Sequence, residues 1–289
     1  MKYLKYLNKK SSSVFRKIKY EIFISNSRKK KFCDDIKKFK SKLKKNENFA
    51  FSRFSDGELF VLQNRKLIIS RNYWLLDKKK IKASFSSNEV KKFIPTKHQS
   101  QRKLLFQSLK FNKINYFKGI SCTCCNGYEY VKYFKNIIGD DKNITFSNVF
   151  QNGNYSFFIQ KILKILKKKN VILIANKNVS LKKIPLKIKK KFDVGENCFI
   201  NDLNIFIKLK KYIKKNKIKN HIFLFSASSL SNILIFKLYK EFGDNTYLDI
   251  GSTLNYYFDN SKKMNSRSYI SEYWGNKTVI EYLDRYCYW

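Results

Sequence analysis

The chain's hydrophobic pattern predicts an α/β domain: a doubly wound, mostly parallel sheet with helices on both faces. Three observations carry this. Short apolar runs bounded by turn residues alternate with stretches of helical period. The clearest run, Val171-Ile172-Leu173-Ile174-Ala175, is apolar throughout, as a parallel strand buried on both faces must be. Helical stretches separate successive strand candidates, so the connections read as βαβ crossovers.

Taken in order, Phe32, Ile36, Phe39 and Leu43 form one apolar stripe of an amphipathic helix, which Asn46-Glu47-Asn48 ends. Residues 49–54 read as a strand stopped by Ser55-Asp56-Gly57, a turn signal, with a helix over 58–63. Residues 115–120 are strand-like, and a helix carrying Val131, Phe134, Ile137 and Ile138 follows. A short strand over 143–147 precedes a helix over 155–166 with Phe158, Ile162 and Ile165 on its apolar side. After the Val171 strand come a helix over 203–214, a strand over 221–225, a helix over 229–241 and a strand over 246–250. No repeat of 20–50 residues and no Pro/Gly/Ser-rich linker divides the chain. The expected organisation is a basic arm or helix over 1–30 and a single domain over 31–289.

Composition narrows the function classes. The 289 residues hold 62 Lys+Arg against 21 Asp+Glu, a formal net charge of +41. At 43 % hydrophobic and 17 % aromatic residues, the chain can bury a core and is no disordered tail. No apolar run approaches the ~18–20 residues that cross a bilayer, and residues 1–15 lack a signal peptide's apolar stretch. The expected location is cytoplasmic, with peripheral contact at an anionic membrane surface as a further expectation. Cys122, Cys124 and Cys125 sit too close together for an ordinary disulfide framework. With only two His, His98 and His221, a tetrahedral zinc site is not expected. The positive charge invites a nucleic-acid or membrane-binding module. It is also what A/T-rich codons for Lys, Asn, Ile, Phe and Tyr would impose on almost any fold, and charge alone does not settle function. No RNA- or DNA-binding pattern appears, and no specific nucleic acid is expected. Glycine-rich dinucleotide loops, the Walker lysine loop and the zinc-protease and hydrolase signatures are missing from the sequence.

In doubly wound sheets, ligands bind beyond the carboxyl ends of the strands. The residues at or just past those ends are Ser55, Asp56 and Glu58; Ser121 and Cys122; Asn176 and Lys177; Ser226, Ser228 and Ser229; and Asp249, Gly251 and Ser252. A basic chain that gathers carboxylates on this rim suggests a bound cation. Asp56-Gly57-Glu58 places two carboxylates about a tight turn, where their oxygens suit Mg²⁺ or Mn²⁺. An Asp-Gly turn before a first-turn Glu is also what an ordinary helix start uses.

Arg53-Phe54-Ser55-Asp56-Gly57-Glu58 resembles the Arg-Phe-Gly-Asp-Gly-Glu signature of the GT-D-type glycosyltransferases, a family once catalogued as a domain of unknown function. The likeness extends in order over residues 35–258. It takes in the strand and turn over 116–122, residues 146–157 with their Asn-Tyr pair, the strand over 170–176, the Ser226-Ala227-Ser228-Ser229 turn and Tyr247-Leu248-Asp249-Ile250-Gly251-Ser252. Ser55 stands where the family usually has Gly, and Ser226-Ala227 where it tends to have Gly-Pro.

The resemblance implies a Rossmann-like, GT-D-like domain and a metal-dependent glycosyltransferase of hexosyltransferase type, active in glycan biosynthesis. It would move a sugar from a nucleotide-sugar donor, a UDP-sugar, to a glycan or glycoconjugate hydroxyl. Asp56 and Glu58 would be the metal and diphosphate pair, with Mn²⁺ or Mg²⁺ as cofactor, and Ala at either would stop donor turnover with the fold intact. Arg53 would bind phosphate or an internal carboxylate. Asp249 would contact ribose, ligate metal or deprotonate the acceptor, or else cap a turn before Gly251. Ser228 and Ser229 would offer hydroxyls and amides to phosphate, or cap their helix. Asn152 and Asn154 would touch base or sugar, or shape their turn. Tyr273, Trp274, Tyr286 and Trp289 of the aromatic tail would stack on a sugar or clamp onto the core. The rival is a non-enzymatic basic module binding nucleic acid or an anionic membrane.

Overall fold

The structure, a computed structural model, describes residues 33–82, 89–121, 128–139, 142–258 and 268–274. The basic arm, the Cys122–Cys125 cluster and the chain beyond 274 lie outside the described residues. Helix α1 (Cys33–Lys45) leads into β1 (Ala50–Phe54) and α2 (Asp56–Leu62). Four short strands follow: β2 (Leu67–Ile69), β3 (Tyr73–Leu76), β4 (Lys79–Lys82) and β5 (Lys91–Phe93). Next come α3 (Gln99–Lys110), β6 (Tyr116–Ile120), α4 (Tyr128–Ile138) and β7 (Ile144–Phe146). Helix α5 (155–166) carries a π turn over Phe158–Ile162 and precedes β8 (Asn170–Asn176) and β9 (Lys187–Val194). The chain continues through α6 (Cys198–Asn201), α7 (Ile205–Lys215), β10 (Ile222–Ser226), α8 (Leu230–Glu241) and β11 (Thr246–Asp249). Helices α9 (Asn255–Phe258) and α10 (Ser268–Trp274) complete it.

Seven strands form one sheet in the order β7-β6-β1-β11-β10-β8-β9, and every pairing in it is parallel. Period-two alternation sorts its side chains into two buried layers. Phe49, Phe51, Phe117, Leu173, Leu224 and Leu248 pack with α1 and α5 on one face. Phe54 and Ile120 meet α2, α3 and α4 on the other, where Ile172, Phe223 and Tyr247 meet α7 and α8. Phe39 of α1 anchors the first layer, its ring 5.1 Å from Phe49 and 4.9 Å from Phe117. Steps toward the β7 edge all cross the second face. The two steps toward the β9 edge, through α5 and through Val179 and Ile184, cross the first. All crossovers therefore share one hand, as twisted parallel strands require.

Several elements escaped the sequence reading, the 12-residue helix α3 among them. Strands β2–β5 form a separate antiparallel sheet, ordered β4-β3-β2-β5, inserted between α2 and α3. Its strands are three or four residues long, too short for periodicity to register. Strand β9 is a lysine-rich edge whose outer side pairs with no strand among the described residues, and charge there discourages further pairing. Its composition hides it among the polar surface.

Candidate active site

Strands β1 and β11 are neighbours, yet the chain leaves their carboxyl ends toward opposite faces. After β1 it enters α2 on one side; after β11, Leu254 and Phe258 of the α9 segment pack on the other. Such a divergence at the carboxyl ends of neighbouring strands is the position where doubly wound sheets bind ligands.

Glu58 lies in the first turn of α2, 7 % exposed. Its Oε2 accepts the Ser55 backbone N–H at 3.1 Å, and with the Ser55 side chain this closes a capping box. Its Oε1 accepts Lys91 Nζ at 3.0 Å and the Ser229 hydroxyl. Lys91 Nζ also donates to Ser229 Oγ at 2.6 Å. The three side chains thus make a closed buried triangle joining α2, the inserted sheet and the start of α8. Burial pushes Glu58 upward, but Lys91's charge, the Ser229 and Lys91 hydrogen bonds and the Ser55 amide outweigh it and hold the carboxyl below its ordinary value. Gly57 makes room for this: a Cβ there would stand 3.0 Å from Lys91 Nζ.

A second pair lies at this divergence. Asp249, 5 % exposed, faces Arg53 with Oδ1 3.9 Å from Nη1, and the same oxygen accepts the Gly251 N–H at 3.0 Å. Burial drives Asp249 up to about 7; Arg53 pulls the other way, and the charge of Glu58 adds to the rise. Arg53 is held elsewhere, donating to Ser147 O and, at 2.8 Å, to Gln151 Oε1. Gln151 Nε2 reaches Ser252 Oγ at 3.2 Å, tying the loop after β7 to the loop after β11. Asn232 of α8 donates to Ser52 Oγ and Arg53 O and so fixes the end of β1. Gly251 has φ +48°, and its ideal Cβ would fall 1.7 Å from Arg53 Nη1, so only glycine lets the guanidinium cross.

The structure therefore brings together Arg53, Glu58, Ser229 and Asp249 of the expected residues. It does not pair Asp56 with Glu58: Asp56 is exposed, its Oδ1 accepting the Gly57 N–H at 3.0 Å. Ser228 is exposed with φ +50°, and its carbonyl accepts the Ser231 N–H in the turn before α8. Asn154 donates to Val149 O within its own turn, and Asn152 is half-buried with φ +51°. Lys177 is exposed. His98 Nδ1 accepts the Ile94 N–H, a structural role. Tyr273 packs 5.2 Å from Tyr155 and Trp274 Nε1 donates to Tyr155 Oη, so this described part of the aromatic tail clamps the core. Cys198 donates to Ala227 O, and burial pushes its thiol up to about 12, which leaves it inert.

Lys91 and Gln151 were not singled out from the sequence. Nothing local marks them: Lys91 is one lysine among many, on a three-residue strand whose Lys91 and Phe93 face inward while Lys92 faces out.

A divalent ion held by Asp56 and Glu58 does not fit this arrangement. Both oxygens of Glu58 are engaged, one of them by a cation, and Asp56 offers a single exposed carboxylate. Among the described residues, no three His, Cys, Asp or Glu side chains gather into a group that could hold a metal. An ion brought to Glu58 would meet the Lys91 ammonium, at a cost on the order of 4 kcal/mol per unit of its charge at about 4 Å.

No family model and no curated protein matches the chain. Among solved structures it is similar to one described as "The highly conserved domain of unknown function 1792 has a distinct glycosyltransferase fold", at 12% identity and TM-score 0.49, covering 75% of this chain and 77% of that one. It is also similar to "A New Glycosyltransferase (DUF1792) from Streptococcus sanguinis", at 12% identity and TM-score 0.48, covering 75% and 80%. A selenomethionine-substituted DUF1792 structure is similar at 11% identity and TM-score 0.48, covering 75% and 77%.

Proposed function

We propose that the protein is a glycosyltransferase of hexosyltransferase type, moving a sugar from a nucleotide-diphosphate donor, a UDP-sugar, to a hydroxyl of a glycan or glycoconjugate. One observation carries the reading: two buried carboxylates at the switch point of the sheet are driven in opposite directions. Glu58 is held ionised by Lys91, while Asp249 is raised to about 7. Environments that separate two carboxyl groups in this way give them different work. The Arg-Phe-Ser-Asp-Gly-Glu segment that resembles the GT-D signature supplies the first of them.

In the reaction, the bond between the sugar's anomeric carbon and the diphosphate oxygen breaks. The acceptor oxygen bonds to that carbon, and the electron pair leaves with the diphosphate. Asp249, in its ionised form, takes the acceptor's proton. The cations Arg53 and Lys91 and the Ser229 hydroxyl at the α8 terminus complement the charge growing on the diphosphate. A panel of UDP-sugars tests this by release of UDP. Turnover with one sugar supports it. If no nucleotide sugar turns over and short oligonucleotides alone raise the melting temperature, the rival polyanion-binding reading takes its place.

A further inference from the structure

We infer that Lys91, presented by the inserted antiparallel sheet, takes the place of a divalent ion at the donor diphosphate, so that transfer proceeds without metal. The inference rests on the nucleotide-sugar reading above and concerns how that site handles negative charge.

Three features point to it. First, the ammonium already occupies the position from which an ion would reach Glu58: Nζ is 3.0 Å from Oε1 and 2.6 Å from Ser229 Oγ. Second, two of its three N–H donors are used among the described residues, leaving one for a ligand oxygen. Third, the Asp56-Gly57-Glu58 turn leaves its middle residue bare where Nζ passes, so the charge lies beside the turn that follows β1. Lys91 is only 4 % exposed, deeper than a surface lysine that merely solvates a face. In this arrangement Glu58 is a positioning residue that holds the ammonium in place. A fixed, buried cation can do for a leaving diphosphate what a bound ion does, with no ion to lose.

The test uses the full chain stripped of metal with EDTA, with UDP and GDP as probes. Expected is an upward melting shift with one of the two nucleotides that Mn²⁺ enlarges by less than a factor of two in apparent affinity. Lys91→Met should lose the shift in EDTA by at least tenfold in affinity, and Mn²⁺ should not restore it, because Glu58 still accepts the Ser55 N–H and the Ser229 hydroxyl and the described residues gather no group of three ligating side chains. Mn²⁺ electron paramagnetic resonance should accordingly show no tight site in the wild type or in Lys91→Met. Should Lys91→Met not fold, Glu58→Gln/Lys91→Met, a neutral pair of similar volume, should fold, lose the shift in EDTA and fail to regain it with Mn²⁺. A nucleotide shift in the wild type that appears only with Mn²⁺ overturns the lysine's role and leaves the glycosyltransferase reading standing. No shift with either nucleotide in either condition overturns that reading as well.

Discussion

Gly251 shows how closely the site is built. Any other residue there would adopt a positive φ and drive its Cβ into the Arg53 guanidinium. Gly251→Ala should therefore destabilise the fold by about 1–3 kcal/mol and displace Arg53, measured by thermal unfolding and by nucleotide affinity. Asp249 has a more specific signature. With a carboxyl raised to about 7, the fraction able to accept a proton climbs through neutrality, so turnover should rise from pH 6 to pH 8. Asp249→Asn should remove that limb and most of the activity; a limb unchanged in the variant would assign it to another group. Asp56 is exposed and Glu58 buried, so Ala at the two positions should act differently on stability. Asp56→Ala touches an exposed turn and should leave the melting temperature nearly unchanged. Glu58→Ala strands a buried ammonium and should cost roughly 3–5 kcal/mol of stability.

Individual elements impose their own constraints. Strand β6 lies between β1 and β7, and its Gly119 has no room for a side chain: a Cβ would stand 2.8 Å from Phe51 Cε2 and 2.9 Å from Phe146 O. Gly119→Ala should force these strands apart and cost about 1–3 kcal/mol in chemical denaturation, without altering the pH profile of the remaining folded protein. The inserted sheet works differently. It adds Leu67 and Phe93 to the α2–α3 layer, with Ile69, Trp74 and Leu76 packed against it, and β5 turns Lys91 inward on the same side as Phe93. An edge element thereby joins the site's charge balance to the packing of the domain, which explains why a short, poorly patterned insertion holds a buried lysine.

For the molecule as a whole, the two carboxylates act on stability with opposite sign. Glu58's folded value lies below its ordinary one, so its contribution is present above about pH 4.5 and is lost as pH falls through the folded value. Asp249's folded value lies above its ordinary one. Its native state binds the proton more tightly than the unfolded chain, and that contribution is lost as pH rises from about 4 toward 7. Comparing Asp249→Asn with wild type should show the variant gaining relative stability across that interval, read as melting temperature against pH; a parallel pair of curves would contradict it. The net charge of +41 is a separate matter. Exposed lysines on β4, β9 and α7 spread it over several elements, and among the described residues no helix is long and apolar enough to cross a membrane.

The parallel architecture was legible because a strand buried on both faces must be apolar throughout, as over 171–175, and a helix packed on one side must repeat near 3.6, as at Ile36, Phe39 and Leu43. The turn after β1 and Asp249 were legible for a related reason: chemistry-bearing residues at strand ends interrupt those patterns. The pairing of charges was not. Glu58 meets Lys91 33 positions away and Ser229 171 positions away, and Arg53 meets Gln151 98 positions away. Local sequence settles which face a residue occupies, since that depends on neighbours along the chain. Which cation answers which carboxylate depends on where distant loops converge, and only the folded chain decides that.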